Sequence, residues 1–163
     1  MAAPWEIHRA RVLPEWIDYN GHMNVAYYVL AFDHAFDVLM AEIGIDKTHR
    51  EERRGTIFAL EGHVSYFQEL AEGAPLRFTL QLLGYDAKRI HSYLRMYHGE
   101  EGFLAASAEW MSSYVDLDSR KTAPFPPDVA AKLQGVWERH GNLPWPEEAG
   151  RGLALPAKRR ATA

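Results

Sequence analysis

The residues best placed to do chemistry stand within seven positions, Asp18-Tyr19-Asn20-Gly21-His22-Met23-Asn24. A carboxylate, an imidazole and two amides surround a glycine bend, and a long apolar run, Val25 to Ile43, follows at once. An Asp in such a place can act as a general base toward water or as a nucleophile toward an acyl carbon. A His four residues on can orient it or carry protons near neutral pH. The same residue types also build turns and cap helices, so Asp18 and His22 keep a structural reading beside the chemical one. Asn20 and Asn24 read first as turn and cap residues, because the side chain of Asn24 can accept from the free amides of a first helical turn.

These groups need a scaffold, and the order of elements supplies one. Trp5 to Leu13 reads as a strand of imperfect alternation, stopped by Pro14. The run from Val25 to Ile43 has only Asp33, His34, Asp37 and Glu42 as strongly polar members, and a helix so apolar is buried in protein. Gly44 sits where a C-terminal cap belongs. At 1.5 Å per residue the helix spans about 28 Å, enough to cross a small sheet. The charged stretch Lys47 to Gly55 reads as a solvated connection. Four segments of strand character follow: Thr56 to Gln68, Pro75 to Tyr85, Arg89 to His98 and Gly102 to Asp116. Short separators rich in turn residues join them, the pattern of an antiparallel meander.

Asp128 to His140 predicts a surface helix with Val129, Leu133, Val136 and Trp137 on one face. From Gly141 onward, Pro144, Pro146, Pro156 and the basic run Lys158-Arg159-Arg160 predict an extended arm, frayed at its end. The expected fold class is therefore α+β. A five-stranded antiparallel sheet wraps around one long buried helix, with a C-terminal helix and an extended tail added. Residues 1–140 are expected to form the domain and residues 141–163 the tail. One sheet covers one side of the helix only, so a homo-oligomer, dimer or tetramer, is expected to cover the rest.

Composition excludes several classes. The chain has 163 residues, 47% apolar and 25% charged, with a net charge of −4, so no general attraction to nucleic acid or an anionic membrane is expected. It contains no cysteine, which removes disulfides, thiol nucleophiles and cysteine-ligated metals. The first residues show no basic segment followed by a hydrophobic one, and no run approaches the ~20 apolar residues that cross a bilayer. A cytoplasmic location is the default expectation.

The chain resembles the hotdog-fold acyl-CoA thioesterases of the 4-hydroxybenzoyl-CoA thioesterase type over roughly Trp5 to Asp128. The resemblance rests on Asp18-x-x-Gly21 ahead of the long helix, the Tyr27-Tyr28 pair early in it, and the strand-rich remainder. Within that type it is most similar to the carnitine-pathway thioesterases assigned to betainyl-CoA, some of them fused to L-carnitine dehydrogenase. Three blocks carry this: Pro14 to Asn24, Gln81 to His91 with Met96-Tyr97-His98 beyond it, and Leu143-Pro144-Trp145-Pro146.

The resemblance implies an acyl-CoA substrate with no separate cofactor, and Asp18 as the catalytic carboxylate. It could activate water or form a mixed anhydride. It further implies a helix N-terminal amide near Asn24 or Val25 that polarises the thioester carbonyl. Glu61 and His63 are alternate residues on one strand face and are expected to line the acyl site; Glu61 can position water or a cationic acyl group, or serve as a salt-bridge partner or edge charge. Tyr66 and Trp110, with Trp16, Tyr27, Phe67 and Tyr114, are available to cage a quaternary ammonium, at ~1–2 kcal/mol per desolvated ring. Lys88, Arg89 and Arg120, with Lys121, can hold CoA phosphates. His22, Glu61 and His63 lack a short-spaced ligand motif, so no metal is expected. The rivals are a hotdog enoyl-CoA hydratase and a non-catalytic acyl-CoA-binding module. The hydratase pattern expects one residue more between Asp and His, and a Pro where Gly21 stands.

Overall fold

Strand β1 (Trp5–Arg11) opens the chain, and a single 3-10 turn, Pro14–Trp16, leads into the Asp18 loop. Helix α1 (Val25–Glu42) and the short helix α2 (Lys47–Arg53) come next. Strands β2 (Gly55–Tyr66), β3 (Pro75–Tyr85), β4 (Arg89–His98) and β5 (Leu104–Asp116) follow, then the two-residue β6 (Lys121–Thr122) and helix α3 (Pro127–His140). The structure is a computed structural model and describes residues 3–153.

The sheet is antiparallel throughout, in the order β1-β3-β4-β5-β2, with β6 pairing to the end of β5. The expected meander holds for β3, β4 and β5. It fails for β2, which pairs with β5 at the far edge instead of with β3. The segment between β2 and β3 makes the crossing possible: eight residues, too many for a tight hairpin turn, carry the chain past the Asp18 loop.

Helix α1 lies against the concave face of this curled sheet. Asn24 starts it: its Oδ1 accepts from the Ala26 amide at 3.0 Å. One stripe is buried, including Tyr28, Phe32, Phe36, Leu39 and Met40. Phe32 meets Phe78 of β3 edge to face at 5.9 Å, and Phe36 meets Trp110 of β5 at 5.5 Å. Each such side chain contributes about 1.5–3 kcal/mol by leaving water. Gly62 on β2 admits Trp110, because a Cβ there would stand 2.9 Å from the indole. The opposite stripe is bare: Val25 is 56% exposed, Val29 41% and Leu30 38%.

One further expectation changes. The charged stretch after α1 is mostly helix, because Asp46 caps it through a 2.8 Å bond from the His49 amide and Lys47 faces Glu51 one turn on. His49 is buried there, hydrogen-bonded to the Tyr114 hydroxyl at 2.8 Å, and burial lowers its pKa. The segment after α3 is an arm held against the sheet as far as Gly150. Gln81 donates to the Pro144 carbonyl at 3.1 Å, Arg95 pairs with Glu148 at 3.0 Å, and the Gly150 amide donates to Glu109 at 2.6 Å. The segment is strapped across the outer face of the sheet. The run Lys158-Arg159-Arg160 lies outside the described residues.

Candidate active site

The loop from Trp16 to Asn24 is folded back on itself before α1 begins. Ile17 bridges to Met23, the Asp18 amide donates to the His22 carbonyl at 3.1 Å, and the Gly21 amide to the Asp18 carbonyl at 3.0 Å. Gly21 takes φ +83°, a conformation that costs an L side chain and suits glycine. This turn holds the Asp18 carboxylate at the mouth of the helix. Its Oδ1 accepts from the Asn20 amide at 2.8 Å and its Oδ2 from Asn24 Nδ2 at 3.3 Å.

An open pocket of about 530 Å³ lies beside that carboxylate. Val25 from the first turn of α1 lines it, as do Tyr28, Tyr66 and Phe67. Asn24 has spent its own amide on the Trp16 carbonyl at 2.9 Å, and the Ala26 and Tyr27 amides bond back to Asn24. Among the described residues the Val25 amide has no hydrogen-bond partner. Of the two positions named for an oxyanion donor, Val25 is therefore the one with a free N–H. Tyr28 and Tyr66 meet edge to face at 5.3 Å, and the Tyr66 hydroxyl donates to the Val25 carbonyl at 3.4 Å. Burial raises the pKa of both phenols, so both remain neutral at pH 7.

His22 lines the same pocket but turns toward Glu69, with Nε2 3.5 Å from Oε2. Glu61 and His63 lie elsewhere. They line a second pocket with His91, Glu109 and Arg151 on the outer face of the sheet, and Glu61 also borders the bare side of α1. The set of His22, Glu61 and His63 is thus not brought together. Trp110 packs on Phe36 and borders the groove formed by Val29, Leu30 and Gly62.

Of the aromatics available for a cage, only Tyr66 and Phe67 reach the Asp18 pocket. Trp16 and Tyr27 stack on each other at 5.6 Å, and Tyr114 belongs to the His49 contact. Lys88 and Arg89 lie in the β3–β4 turn, whose carbonyls receive the Tyr114 and Phe125 amides, at the end of the sheet away from Asp18. Arg89 is committed within that turn, its Nε 2.8 Å from Asp86 Oδ2. Together with the Lys88 and Arg89 amides, this contact lowers the Asp86 pKa to about 2. Arg120 stands over the Phe58 ring at 5.5 Å, near the start of β2.

Three lining residues, Tyr28, Gln68 and Glu69, lay outside the sequence reading of the site. Tyr28 was visible as half of an aromatic pair at the start of α1. Glu69 carried no signal, since it follows β2 in an irregular segment and comes to the pocket only through tertiary folding.

Residues 12–133 match the thioesterase-like superfamily. The chain belongs to that family. Over 91% of its length, and 93% of the relative's, this thioesterase is 43% identical to the betainyl-CoA thioesterase of Pseudomonas aeruginosa. Over 92% of its length it is 36% identical to L-carnitine dehydrogenase/betainyl-CoA thioesterase of Rhizobium meliloti, of which it spans 30%. A Staphylococcus aureus protein solved in complex with CoA has the same fold, with a TM-score of 0.88 at 30% identity over 94% of this chain and 97% of that one. The hotdog fold expected from the sequence is the fold of this thioesterase.

Proposed function

We propose that this thioesterase hydrolyses betainyl-CoA to betaine and free CoA, with Asp18 as the acting carboxylate. The observation that carries the reading is one cavity. It holds Asp18, the Val25 amide and the rings of Tyr28, Tyr66 and Phe67, and among the described residues no Lys or Arg lines it. A trimethylammonium group would be repelled by basic residues and held by ring faces. The Pseudomonas aeruginosa relative bears that substrate in its name.

In this reading the thioester oxygen points at the Val25 N–H, where the helix dipole favours developing negative charge. Asp18 either takes a proton from water as the water attacks the carbonyl carbon, or attacks that carbon itself. In the second route the mixed anhydride is then cleaved by water. In both routes the carbon–sulfur bond breaks and CoA leaves as the thiol. Asn20 and Asn24 hold the carboxylate in line, and Val25 contributes through its backbone. A cytoplasmic setting, where CoA thioesters are made and used, fits this activity.

The working unit is a homodimer. The outer edge of β2 pairs with no strand among the described residues; it exposes Phe58, and Leu60 beside the bare stripe of α1. An open edge with apolar side chains is a pairing surface, and a twofold axis satisfies it with a second β2. Antiparallel pairing brings the Gly55 end of one β2 to the Tyr66 end of the other. Arg120, over Phe58, then approaches the Asp18 pocket of the other subunit and becomes the better placed of the basic residues for a CoA phosphate. In the same arrangement Glu61 and Trp110, which border the bare side of α1, serve the acyl site from across the interface, while His63 stays on the outer face of the sheet.

A panel of CoA thioesters with a free-thiol readout tests the assignment, with crotonyl-CoA hydration assayed beside it. Rapid thiol release from betainyl-CoA is expected. Hydration of crotonyl-CoA without thiol release would move the protein to the hydratase class.

A further inference from the structure

The Asp18 pocket contains a second carboxylate that hydrolysis itself does not use. Glu69 lines the cavity, and its side chain is 74% exposed. Its one ion-pair partner among the described residues is His22, at 3.5 Å. The backbone that carries it is fixed on both sides. The Phe67 and Gln68 amides both donate to the Ala105 carbonyl of β5, at 2.8 and 3.2 Å. On the other side, the Leu70 carbonyl accepts from the Met23 amide of the Asp18 loop at 2.8 Å. Glu69 is thus held at the mouth of the cavity by the sheet and by the catalytic loop together.

The two carboxylates differ in what they have left to offer. Both oxygens of Asp18 already accept hydrogen bonds, from Asn20 and Asn24. Among the described residues, those of Glu69 meet only the longer contact to His22. A quaternary ammonium has no N–H and makes no directional hydrogen bond, so it is recognised by ring faces and by negative charge nearby. In betainyl-CoA the charged nitrogen is one methylene from the reacting carbonyl. Whatever selects the charge must therefore share the cavity with Asp18.

We propose that Glu69 selects the cationic acyl group, holding the quaternary ammonium by charge while Tyr28 and Tyr66 wall it in. The inference rests on the reading of the Asp18 cavity as the acyl site. Glu69 lowers the energy of the bound substrate and of the transition state alike, so its effect falls on KM more than on kcat.

The test compares betainyl-CoA with tert-butylacetyl-CoA, its neutral carbon isostere, in the full-length wild-type chain and in Glu69→Gln and Glu69→Asp. Glu69→Gln is expected to lower kcat/KM for betainyl-CoA by about five- to tenfold, mostly through KM, and to leave the neutral thioester nearly unchanged. Glu69→Asp keeps most of the preference. About 0.5 M salt erodes the wild-type preference, as it must for a partly exposed charge. Equal losses on both substrates would mean that Glu69 acts on the chemistry through His22, and would overturn the proposal. A wild-type preference that survives Glu69→Gln intact would overturn it as well, while leaving the acyl-site reading standing. Failure of the wild type to hydrolyse either thioester would instead remove that reading, and the proposal with it.

Discussion

Asn24 joins Asp18 to the helix: its Nδ2 donates to the Asp18 carboxylate at 3.3 Å while its Oδ1 accepts from the Ala26 amide at 3.0 Å. One side chain thus fixes both the carboxylate and the start of α1, where the Val25 amide lies free. The distance between the carboxylate proposed to attack and the amide proposed to polarise the carbonyl is set by a single cap residue.

Removing the charge at position 18 tests the centre of the mechanism. Asp18→Asn is expected to lower kcat by at least ~10²-fold. The thermal midpoint should fall only slightly, because the new amide oxygen can still accept from the Asn20 amide at 2.8 Å and only the longer 3.3 Å contact from Asn24 Nδ2 is lost. A rate close to wild type would take Asp18 out of the reaction.

The double role of Asn24 separates into two substitutions. Asn24→Ala loses the cap and is expected to cost about 1 kcal/mol of stability, measured by urea denaturation, with a fall in kcat besides. Asn24→Ser keeps a capping oxygen but is too short to donate to Asp18. It should therefore recover the stability and not the rate. Recovery of both would show that the contact to Asp18 is idle.

The open β2 edge predicts an assembly. Sedimentation should find a dimer or larger at micromolar concentration, and Leu60→Lys, which places a charge on the apolar edge, should dissociate it and depress activity together. A wild-type monomer with full activity contradicts a site completed across the twofold.

Arg120 and the β3–β4 turn make opposing predictions about CoA. Arg120→Gln is expected to raise KM for CoA thioesters several-fold more than for a short thioester lacking the nucleotide. Neutralising Lys88 and Arg89 should do less, since Arg89 is held by Asp86 at the end of the sheet away from Asp18. The reverse ranking would return the phosphate site to the turn.

His140 makes stability depend on pH. It is buried, its Nδ1 accepts from the Leu82 amide at 3.0 Å, and burial, followed by nearby Arg139, lowers its pKa from 6.5. The folded state therefore resists protonation that the unfolded chain accepts. Stability is complete above about pH 6.5 and falls as the pH drops from there toward the folded pKa. His140→Gln should flatten the slope between pH 7 and 5 in chemical denaturation, after allowance for His49, which is shifted in the same direction.

The amino-acid order by itself determined the elements and the loop. Pro14, the Gly21 bend, the Asn24 cap and an apolar stripe at helical spacing are local signals, read over a few residues and decided by backbone geometry. The tight turns that join β3, β4 and β5 are equally local. The charged helix α2 escaped notice because its cap, Asp46, stands in a stretch whose composition reads as loop, and its buried His49 is explained only by Tyr114, far along the chain. Tertiary structure alone decided that β2 crosses to the far edge. It also decided that Glu69 faces His22 and that Arg120 rests on Phe58. The physical reason is common to all three. Sheet order and side-chain partners depend on contacts between residues distant in sequence, and those form only when the hydrophobic face of α1 closes on the strands.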